Sequence, residues 1–404
     1  MIASRTVKHG HRPRARLAVW LLIAGFAAFM TLGCGGRSDK PDPAVVKRYA
    51  DKGYGPERRY ETTSVQETWT IGSKLVDVTL LTPAPAGTYP LVIYLPGLGE
   101  PSDAGLFWRQ TWAQAGYAVL SVQSTKYGPE VWSSRLARAG DFVAVAKEAF
   151  SVPSLAARTQ LMQDLFDRIS RGPHAAGGAA FERIDTSRVA VAGYDLGAQT
   201  AMIVAGENIR GVEPLRVPAG VKCVVALSPY ADFSGMGMES NFRSVRLPVL
   251  SVTGPLDKDA YGLITSASVR RAPFQYMPDG QKYLLVLPGV PHSVLAGAGA
   301  SVAGEHKGEA KGAPGSAQDA GPDVDIMSDE ASASDDGQRS GKRRARASGA
   351  RGANAAEQAR SQTQVQSVTT AFLDAIVKDD SIASEWLTRN AKRWLGDSAE
   401  LTWK

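Results

Sequence analysis

A single five-residue run, Gly193-Tyr194-Asp195-Leu196-Gly197, does most to limit what this chain can fold into. The apolar stretch 188–192 before it has the length and composition of a buried strand, and the stretch 198–202 after it is typical of a helix. Small residues on both sides of Asp195 allow two backbone segments to approach closely at a sharp turn. Because such a turn projects its central side chain away from the sheet, we expect Asp195 to face a functional site.

Apolar runs and helical patterns alternate along most of the chain. Most of the predicted strands are short and apolar, as strands buried in a parallel sheet are. This alternation predicts an α/β fold with a doubly wound, mostly parallel sheet, whose functional sites lie at the carboxyl ends of the strands. The predicted strands are 63–72 and 74–82 (an antiparallel opening pair), 91–95, 117–122, 188–192, 221–227, 248–253 and 282–287, and the predicted helices are 108–115, 133–150, 155–171, 365–377 and 382–395.

Four short motifs follow predicted strands in order: Leu95-Pro-Gly-Leu-Gly99, Gly193-Tyr-Asp-Leu-Gly-Ala198, Thr253-Gly-Pro-Leu-Asp257 and Gly289-Val-Pro-His-Ser293. Together they resemble the motifs of α/β-hydrolases, and the closest similarity is to dienelactone-hydrolase-like and platelet-activating-factor-acetylhydrolase-like esterases. The resemblance covers about residues 63–295 and resumes in the last helices. It implies an α/β-hydrolase fold. No large cap domain is expected, because only about 20 residues separate the sixth predicted strand from the seventh.

The resemblance implies three catalytic side chains. In α/β-hydrolases the nucleophile, the acid and the histidine follow one another along the chain in that order. Asp195 stands at the nucleophile position, where serine is usual, Asp257 stands at the acid position, and His292 stands where the family has its general base. Asp259 is a second candidate for the acid, since it lies only two residues after Asp257.

The same resemblance implies an oxyanion hole made of two backbone N–H groups. Leu98 lies in the loop after the third predicted strand, and Leu196 directly follows Asp195. Both are at the positions that supply these donors in the family. Backbone donors do not depend on the side chain at position 195, so we expect this part of the machinery to be intact.

Aspartate at position 195 leaves several functions open. Aspartate side chains have an unperturbed pKa of about 3.9, so an ionised Asp195 can act as a nucleophile or as a base on water. The first hypothesis is therefore a hydrolase of carboxylic esters or related small lipophilic substrates. However, two carboxylates beside His292 would hold its imidazole protonated and spoil it as a base. That favours a second hypothesis, a catalytically inactive hydrolase fold that serves as a binding protein of the cell envelope.

A third hypothesis is attack at the saturated carbon of an epoxide or a haloalkane. Epoxide hydrolases and haloalkane dehalogenases resemble this chain in having aspartate at the turn. They usually place tryptophan directly after that aspartate, whereas this chain has Leu196. They also carry a helical cap after the strand that follows the turn, and the stretch of about 20 residues available here is too short for one.

Residues 1–33 predict a targeting segment that is removed from the mature protein. A basic region precedes the apolar run 17–32, which is short for a membrane span of about 20 residues. The run ends in Thr31-Leu32-Gly33-Cys34, which resembles the lipobox of bacterial lipoproteins and implies that Cys34 is lipidated. Gly35 rather than aspartate follows the cysteine, which favours anchoring in the outer membrane, facing the periplasm.

Composition divides the mature chain into four parts. Residues 34–60 are rich in Gly, Pro and charge and predict a tether, 61–297 form the hydrolase core, and 363–404 form its C-terminal helices. The segment 298–362 holds almost only Gly, Ala, Ser and charged residues, so it buries too little apolar surface to fold, and we expect a disordered insertion. Its separate acidic and basic halves are typical of a segment that docks on a charged partner, or of a merely solvated insertion.

The net charge of +6 does not indicate a nucleic-acid partner. Five of those charges lie in the predicted targeting segment, at Arg5, Lys8, Arg12, Arg14 and Arg16. After lipidation of Cys34, Cys223 is left as a lone thiol in an apolar run, so we expect no internal disulfide. Because no Cys and His residues have the spacing of metal ligands, we expect neither a metal nor another cofactor. The expected partners are a small-molecule substrate and, through the lipid, a membrane.

Overall fold

One sheet of nine strands runs through the part of the chain that the structure describes. The computed structural model describes residues 51–172, 180–231, 237–264, 266–298 and 336–404. The predicted targeting segment, the lipidation site Cys34, the start of the predicted tether and the larger part of the predicted insertion lie outside these ranges.

The order of the strands in the sheet is β1-β2-β4-β3-β5-β6-β7-β8-β9. The six strands from β4 to β8 in this order are parallel to one another, and β2 and β9 run against their neighbours. The predicted α/β class with a mostly parallel sheet is therefore confirmed. The strands are β1 (Thr62–Ile71), β2 (Lys74–Pro83), β3 (Tyr89–Leu95), β4 (Ala118–Ser124), β5 (Ile184–Tyr194), β6 (Val221–Leu227), β7 (Val249–Thr253), β8 (Lys282–Val286) and β9 (Glu400–Trp403).

Helices cover both faces of the sheet, so the described body has three layers. α4 and α5 pack on one face, while α1, α9 and the turns after α9 pack on the other. Among the described residues, no helix is both long and apolar enough to cross a membrane. The α-helices are α1 (Leu106–Gln114), α2 (Arg135–Arg138), α3 (Phe142–Phe150), α4 (Val152–Ser170), α5 (Leu196–Ala205), α6 (Met238–Phe242), α7 (Ala272–Tyr276), α8 (His292–Leu295), α9 (Asp336–Val377), α10 (Ser381–Glu385) and α11 (Ala391–Leu395).

The helix predicted over 133–150 is broken into two. α2 ends at Arg138, and Gly140 then takes a φ of +79°, which ends the helical path. Asp141 starts α3 as its N-cap, since its carboxylate accepts the N–H of Ala144 at 2.9 Å. The periodicity of the apolar residues does not report this break.

α9 begins at Asp336, inside the segment 298–362 for which composition predicts disorder. The described end of that segment is therefore helical. Its alanine, arginine and glutamine residues have high helix propensity. The packed part of α9, which includes Val365, Val368 and Phe372, provides a formed helix from which further turns can extend.

The chain before the sheet is fastened to the C-terminal helices. The Tyr54 ring lies 5.9 Å from that of Trp386, and its hydroxyl donates to the buried carboxylate of Asp374 at 2.8 Å. The Tyr117 hydroxyl donates to the same carboxylate at 2.8 Å. The described end of the predicted tether thus packs against the folded body.

The turn between β5 and α5 has the conformation that its sequence predicts. Asp195 has a φ of +51° and a ψ of −109°, which non-glycine residues rarely adopt. The two flanking glycines permit the close packing around it. A Cβ on Gly193 would lie 2.4 Å from the backbone of Gly197, and a Cβ on Gly197 would lie 1.9 Å from the carbonyl oxygen of Leu95.

We expect Gly197→Ala to lower the free energy of unfolding by at least about 2 kcal/mol, because the added methyl forces the turn away from the end of β3. Denaturant unfolding measures the effect. Gly55→Ala is the matched control, since a Cβ at Gly55 meets nothing within 4 Å. Equal stability of the two variants would contradict the close approach of the turn to β3.

Candidate active site

Five neighbouring parallel strands end in loops that carry polar groups at one edge of the sheet. β3 leads into 96–100, β5 into Asp195, β6 into Ser228, β7 into the loop with Asp257, and β8 into the loop with His292. The carboxyl ends of parallel strands meet at the same edge, so residues far apart in sequence become neighbours there.

The structure brings together the three predicted catalytic side chains. His292 lies between two carboxylates: its Nδ1 donates to Oδ1 of Asp257 at 2.7 Å, and its Nε2 lies 3.6 Å from Oδ1 of Asp195. The second distance is slightly longer than a hydrogen bond. The Asp257 side chain is completely buried, whereas 16% of the His292 side chain is exposed. The Asp195 side chain is 7% exposed, so of the three side chains only Asp257 is wholly closed to solvent.

Asp257 is held as an anion by four groups. Besides His292, the hydroxyls of Ser228 and Thr253 donate to its two oxygens at 2.7 Å each. The buried guanidinium of Arg270 lies 3.4 Å from Oδ1. Burial alone would raise the pKa of Asp257, but the His292 hydrogen bond and the Arg270 charge outweigh it and lower this pKa.

The geometry favours Asp257 over Asp259 as the partner of the histidine. The Asp259 carboxylate accepts the backbone N–H groups of Tyr261, Leu263 and Ile264 at 2.9, 3.0 and 2.6 Å. Asp259 therefore shapes the loop after β7 and is not in contact with His292.

Ser228 and Arg270 belong to the site, although the sequence did not assign them to it. The Ser228 hydroxyl lies 2.9 Å from Nδ1 of His292 and donates to Asp257. The backbone of Ser228 has a φ of +57°. Ser228 directly follows β6, and this position at the carboxyl end of a parallel strand could have indicated that it belongs to the site. Arg270 also donates to the backbone carbonyls of Asp257, Ser228 and Pro229, and these bonds join the ends of β6 and β7. No local sequence motif indicates this role of Arg270.

The loops that carry the two predicted oxyanion donors lie together. The side chains of Leu98 and Leu196 belong to one buried apolar cluster, and a Cβ on Gly97 would lie 2.9 Å from the Tyr194 ring. Leu196 is the first residue of α5, so its N–H has no acceptor within the helix. The helix dipole adds to the preference for negative charge at this point.

Glu100 is a further carboxyl group of this edge that the sequence did not single out. Its Oε2 accepts the backbone N–H of Gly97 at 2.7 Å, which folds the side chain back over the loop after β3. Burial raises the pKa of Glu100 to about 7, and the nearby charge of Asp195 contributes in the same direction. Among the described residues, no group of histidine, cysteine and acidic side chains is arranged to hold a metal ion.

No known family matches. The search with protein-family models found no match to the sequence, and the search of curated proteins found none either.

We expect the His292 imidazole to titrate above its ordinary pKa of 6.5. Burial opposes the charged imidazolium, but the Asp257 hydrogen bond and the Asp195 charge outweigh burial and raise the pKa. The ring therefore stays protonated as the pH rises through 6.5. NMR titration measures this pKa, and the loss of the signal in His292→Gln assigns it. Asp257→Asn is expected to lower the pKa, and an unchanged value would contradict the geometry.

Proposed function

We propose that the protein is an α/β-hydrolase that hydrolyses carboxylic esters or related small lipophilic substrates, with Asp195 as the nucleophile. One observation carries the proposal: a strained aspartate at a strand-to-helix turn faces Nε2 of a histidine whose Nδ1 is bonded to a buried carboxylate. This is the arrangement of nucleophile, histidine and acid in acyl transfer, with aspartate in place of serine.

The surroundings support an apolar substrate. Leu98 and Leu196 lie in a cluster with the buried rings of Tyr127 and Phe150, and the partly buried ring of Tyr230 packs against it. An acyl group bound beside the turn would contact mostly apolar surface.

In the first step, one oxygen of the Asp195 carboxylate attacks the acyl carbon, and the backbone N–H groups of Leu98 and Leu196 stabilise the oxyanion that forms. The bond to the alcohol oxygen then breaks. The His292 imidazolium gives its Nε2 proton to that oxygen, so a neutral alcohol leaves. The product of this step is a mixed anhydride on Asp195.

Acylation changes the task of His292. Because the Asp195 charge helps to raise the pKa of His292, the loss of that charge in the anhydride lowers this pKa. The neutral imidazole then takes a proton from water, and the hydroxide formed attacks the anhydride. The acid product leaves, the Asp195 carboxylate is restored and His292 is again protonated. Two carboxylates beside one histidine therefore do not exclude catalysis.

Hydrolysis of 4-nitrophenyl acetate and 4-nitrophenyl butyrate by the purified protein tests this function. We expect turnover that is lost in His292→Ala, with the butyrate preferred because of the apolar surroundings. Folded wild-type protein that hydrolyses neither ester would overturn the proposal, and it would favour the inactive binding protein.

Attack on an epoxide is a second candidate, and Tyr261 favours it. Burial of the Tyr261 phenol and the charges of Asp195, Asp259 and Glu100 raise its pKa, so the hydroxyl is a neutral proton donor that feels the charge of the proposed nucleophile. A phenol at this place can protonate the alkoxide of an opened epoxide ring. Turnover of styrene oxide without turnover of either ester would favour this candidate, and turnover of 1-chlorobutane would favour halide displacement.

We also propose that the protein is anchored to the bacterial cell envelope through Cys34. The lipobox-like residues 31–34 after a basic and apolar segment support this proposal. We expect Cys34→Ala to release the protein from the membrane fraction or to leave it unprocessed, as seen by fractionation and by the mass of the mature chain. Unchanged processing and membrane attachment would show that the lipobox assignment is wrong.

A further inference from the structure

Among the described residues, Glu100 is the carboxyl group of the site that forms no ion pair, although the charge of His292 acts to lower its pKa. Asp195 faces His292, and Asp257 faces both His292 and Arg270. Within the described ranges, Glu100 forms no ion pair, and its one hydrogen-bonded oxygen is the Oε2 that accepts from Gly97. No described residue donates a hydrogen bond to the other oxygen, Oε1.

Two buried arginines near the site, Arg158 and Arg270, are already engaged. The Arg158 guanidinium donates to the carbonyl oxygen of Ala149 at 2.6 Å, to the Thr200 hydroxyl at 2.9 Å and to the Gln199 amide oxygen. Arg270 is fixed between Asp257 and the chain after β6. Neither guanidinium is positioned to neutralise Glu100.

Aromatic rings lie next to the backbone that directly precedes Glu100. The Trp132 indole covers Gly99, to whose carbonyl oxygen it donates at 3.3 Å, and Gly99 directly precedes Glu100. The Trp132 ring centroid lies 6.1 Å from that of Tyr261 and 6.1 Å from that of Phe142. All three rings are partly exposed. A carboxylate beside partly exposed aromatic faces is the chemistry that binds an organic cation.

We propose that the substrate carries a positively charged amine or quaternary ammonium group, which the Glu100 carboxylate and the rings of Trp132 and Tyr261 bind. The inference rests on the proposed function, which places the reacting ester at Asp195. It names Glu100 as a residue that determines specificity: esters with a cationic group are selected, and esters with an anionic group are rejected by Glu100 and Asp195.

The ionisation of Glu100 determines how the affinity for a cation changes with pH. The cation binds the ionised form of Glu100, and the pKa of this group is about 7. Affinity for a cation therefore increases as the pH rises through neutrality, while affinity for a neutral molecule of the same shape does not. The titratable groups that interact electrostatically with Glu100 are Asp195, His292, Tyr94, Tyr194 and Tyr261.

Calorimetric binding of two molecules of the same shape tests the proposal. The probes are the phenyltrimethylammonium ion, which is cationic, and tert-butylbenzene, which is neutral, and neither probe titrates in this pH range. At about pH 8 we expect the cation to bind wild-type protein about tenfold more tightly than the neutral probe, and we expect this preference to shrink at about pH 6. In Glu100→Gln the preference should fall to about threefold or less.

Glu207→Gln is the matched control. Glu207 is also buried, and burial raises its pKa to about 8, but it follows the far end of α5 from Asp195. This variant should keep the preference for the cation. Equal binding of both probes by wild-type protein, no binding of either, or a preference that survives in Glu100→Gln would overturn the inference.

The same experiment separates this inference from the proposed function, because it needs no turnover. Selective binding of the cation by a protein that hydrolyses no ester would retain the cation site and reject the hydrolase. Ester turnover without selective binding would retain the hydrolase and reject the cation site. If Glu100→Gln does not fold, the pH dependence of the two affinities in wild-type protein decides the question.

Discussion

Replacing Asp195 with serine is expected to raise ester turnover by about 100-fold or more. In the wild-type protein the attacking carboxylate is a better leaving group than an alkoxide, so the first adduct tends to collapse back to substrate. A serine forms an ordinary ester instead. Removing the Asp195 charge also lowers the pKa of His292, which makes the imidazole a better base for the serine hydroxyl. The backbone donors of the oxyanion hole remain.

Initial rates with 4-nitrophenyl butyrate measure this gain. Asp195→Asn is the control, because it also removes the charge but supplies no nucleophile, and we expect it to lose turnover. A folded Asp195→Ser protein with no more activity than wild type would contradict the positions assigned to His292 and to the two N–H donors.

Asp257→Asn is expected to reduce turnover by about 10³–10⁴-fold. An amide at this position no longer holds the imidazolium, and its N–H₂ group can impose the wrong tautomer on His292. The change also leaves the buried Arg270 without its anion, so we expect the free energy of unfolding to fall by about 3 kcal/mol. Rates and denaturant unfolding of the same preparation separate the loss of catalysis from the loss of stability.

Asp259→Asn is the matched control for that experiment. An amide oxygen can still accept the backbone N–H groups of the loop after β7. We expect turnover within about threefold of wild type, as for a substitution away from the reacting groups. If Asp259→Asn were as damaging as Asp257→Asn, the acid would be assigned to the wrong residue.

The parts of the site that could be predicted from the sequence are those that the sheet topology determines. Asp195, Asp257 and His292 each lie in a loop after a parallel strand, so the order of strands and helices is enough to bring them together. The turn at Asp195 could also be predicted, because close packing within the turn leaves room only for glycine at the two flanking positions. The structure brings these residues together, and the roles given to them remain proposals.

Arg270 and Glu100 could not be assigned in the same way. Arg270 reaches Asp257 from a short helical turn, and Glu100 lies beside Asp195 only because the loop after β3 folds back on the N–H of Gly97. Such contacts depend on loop conformations, which residue patterns do not report. The strand β9 is four residues long at the end of the chain, and it forms only by pairing with β8.

The mass of His292→Ala after brief exposure to 4-nitrophenyl butyrate and an acid quench shows whether Asp195 is the nucleophile. The phenolate leaves without a proton donor, so the first step should proceed, whereas the second step lacks its base. We predict one butyryl group on the peptide that contains Asp195, and none in the variant that also carries Asp195→Asn. An unmodified peptide, from a protein whose wild type hydrolyses this ester, would show that Asp195 is not the nucleophile.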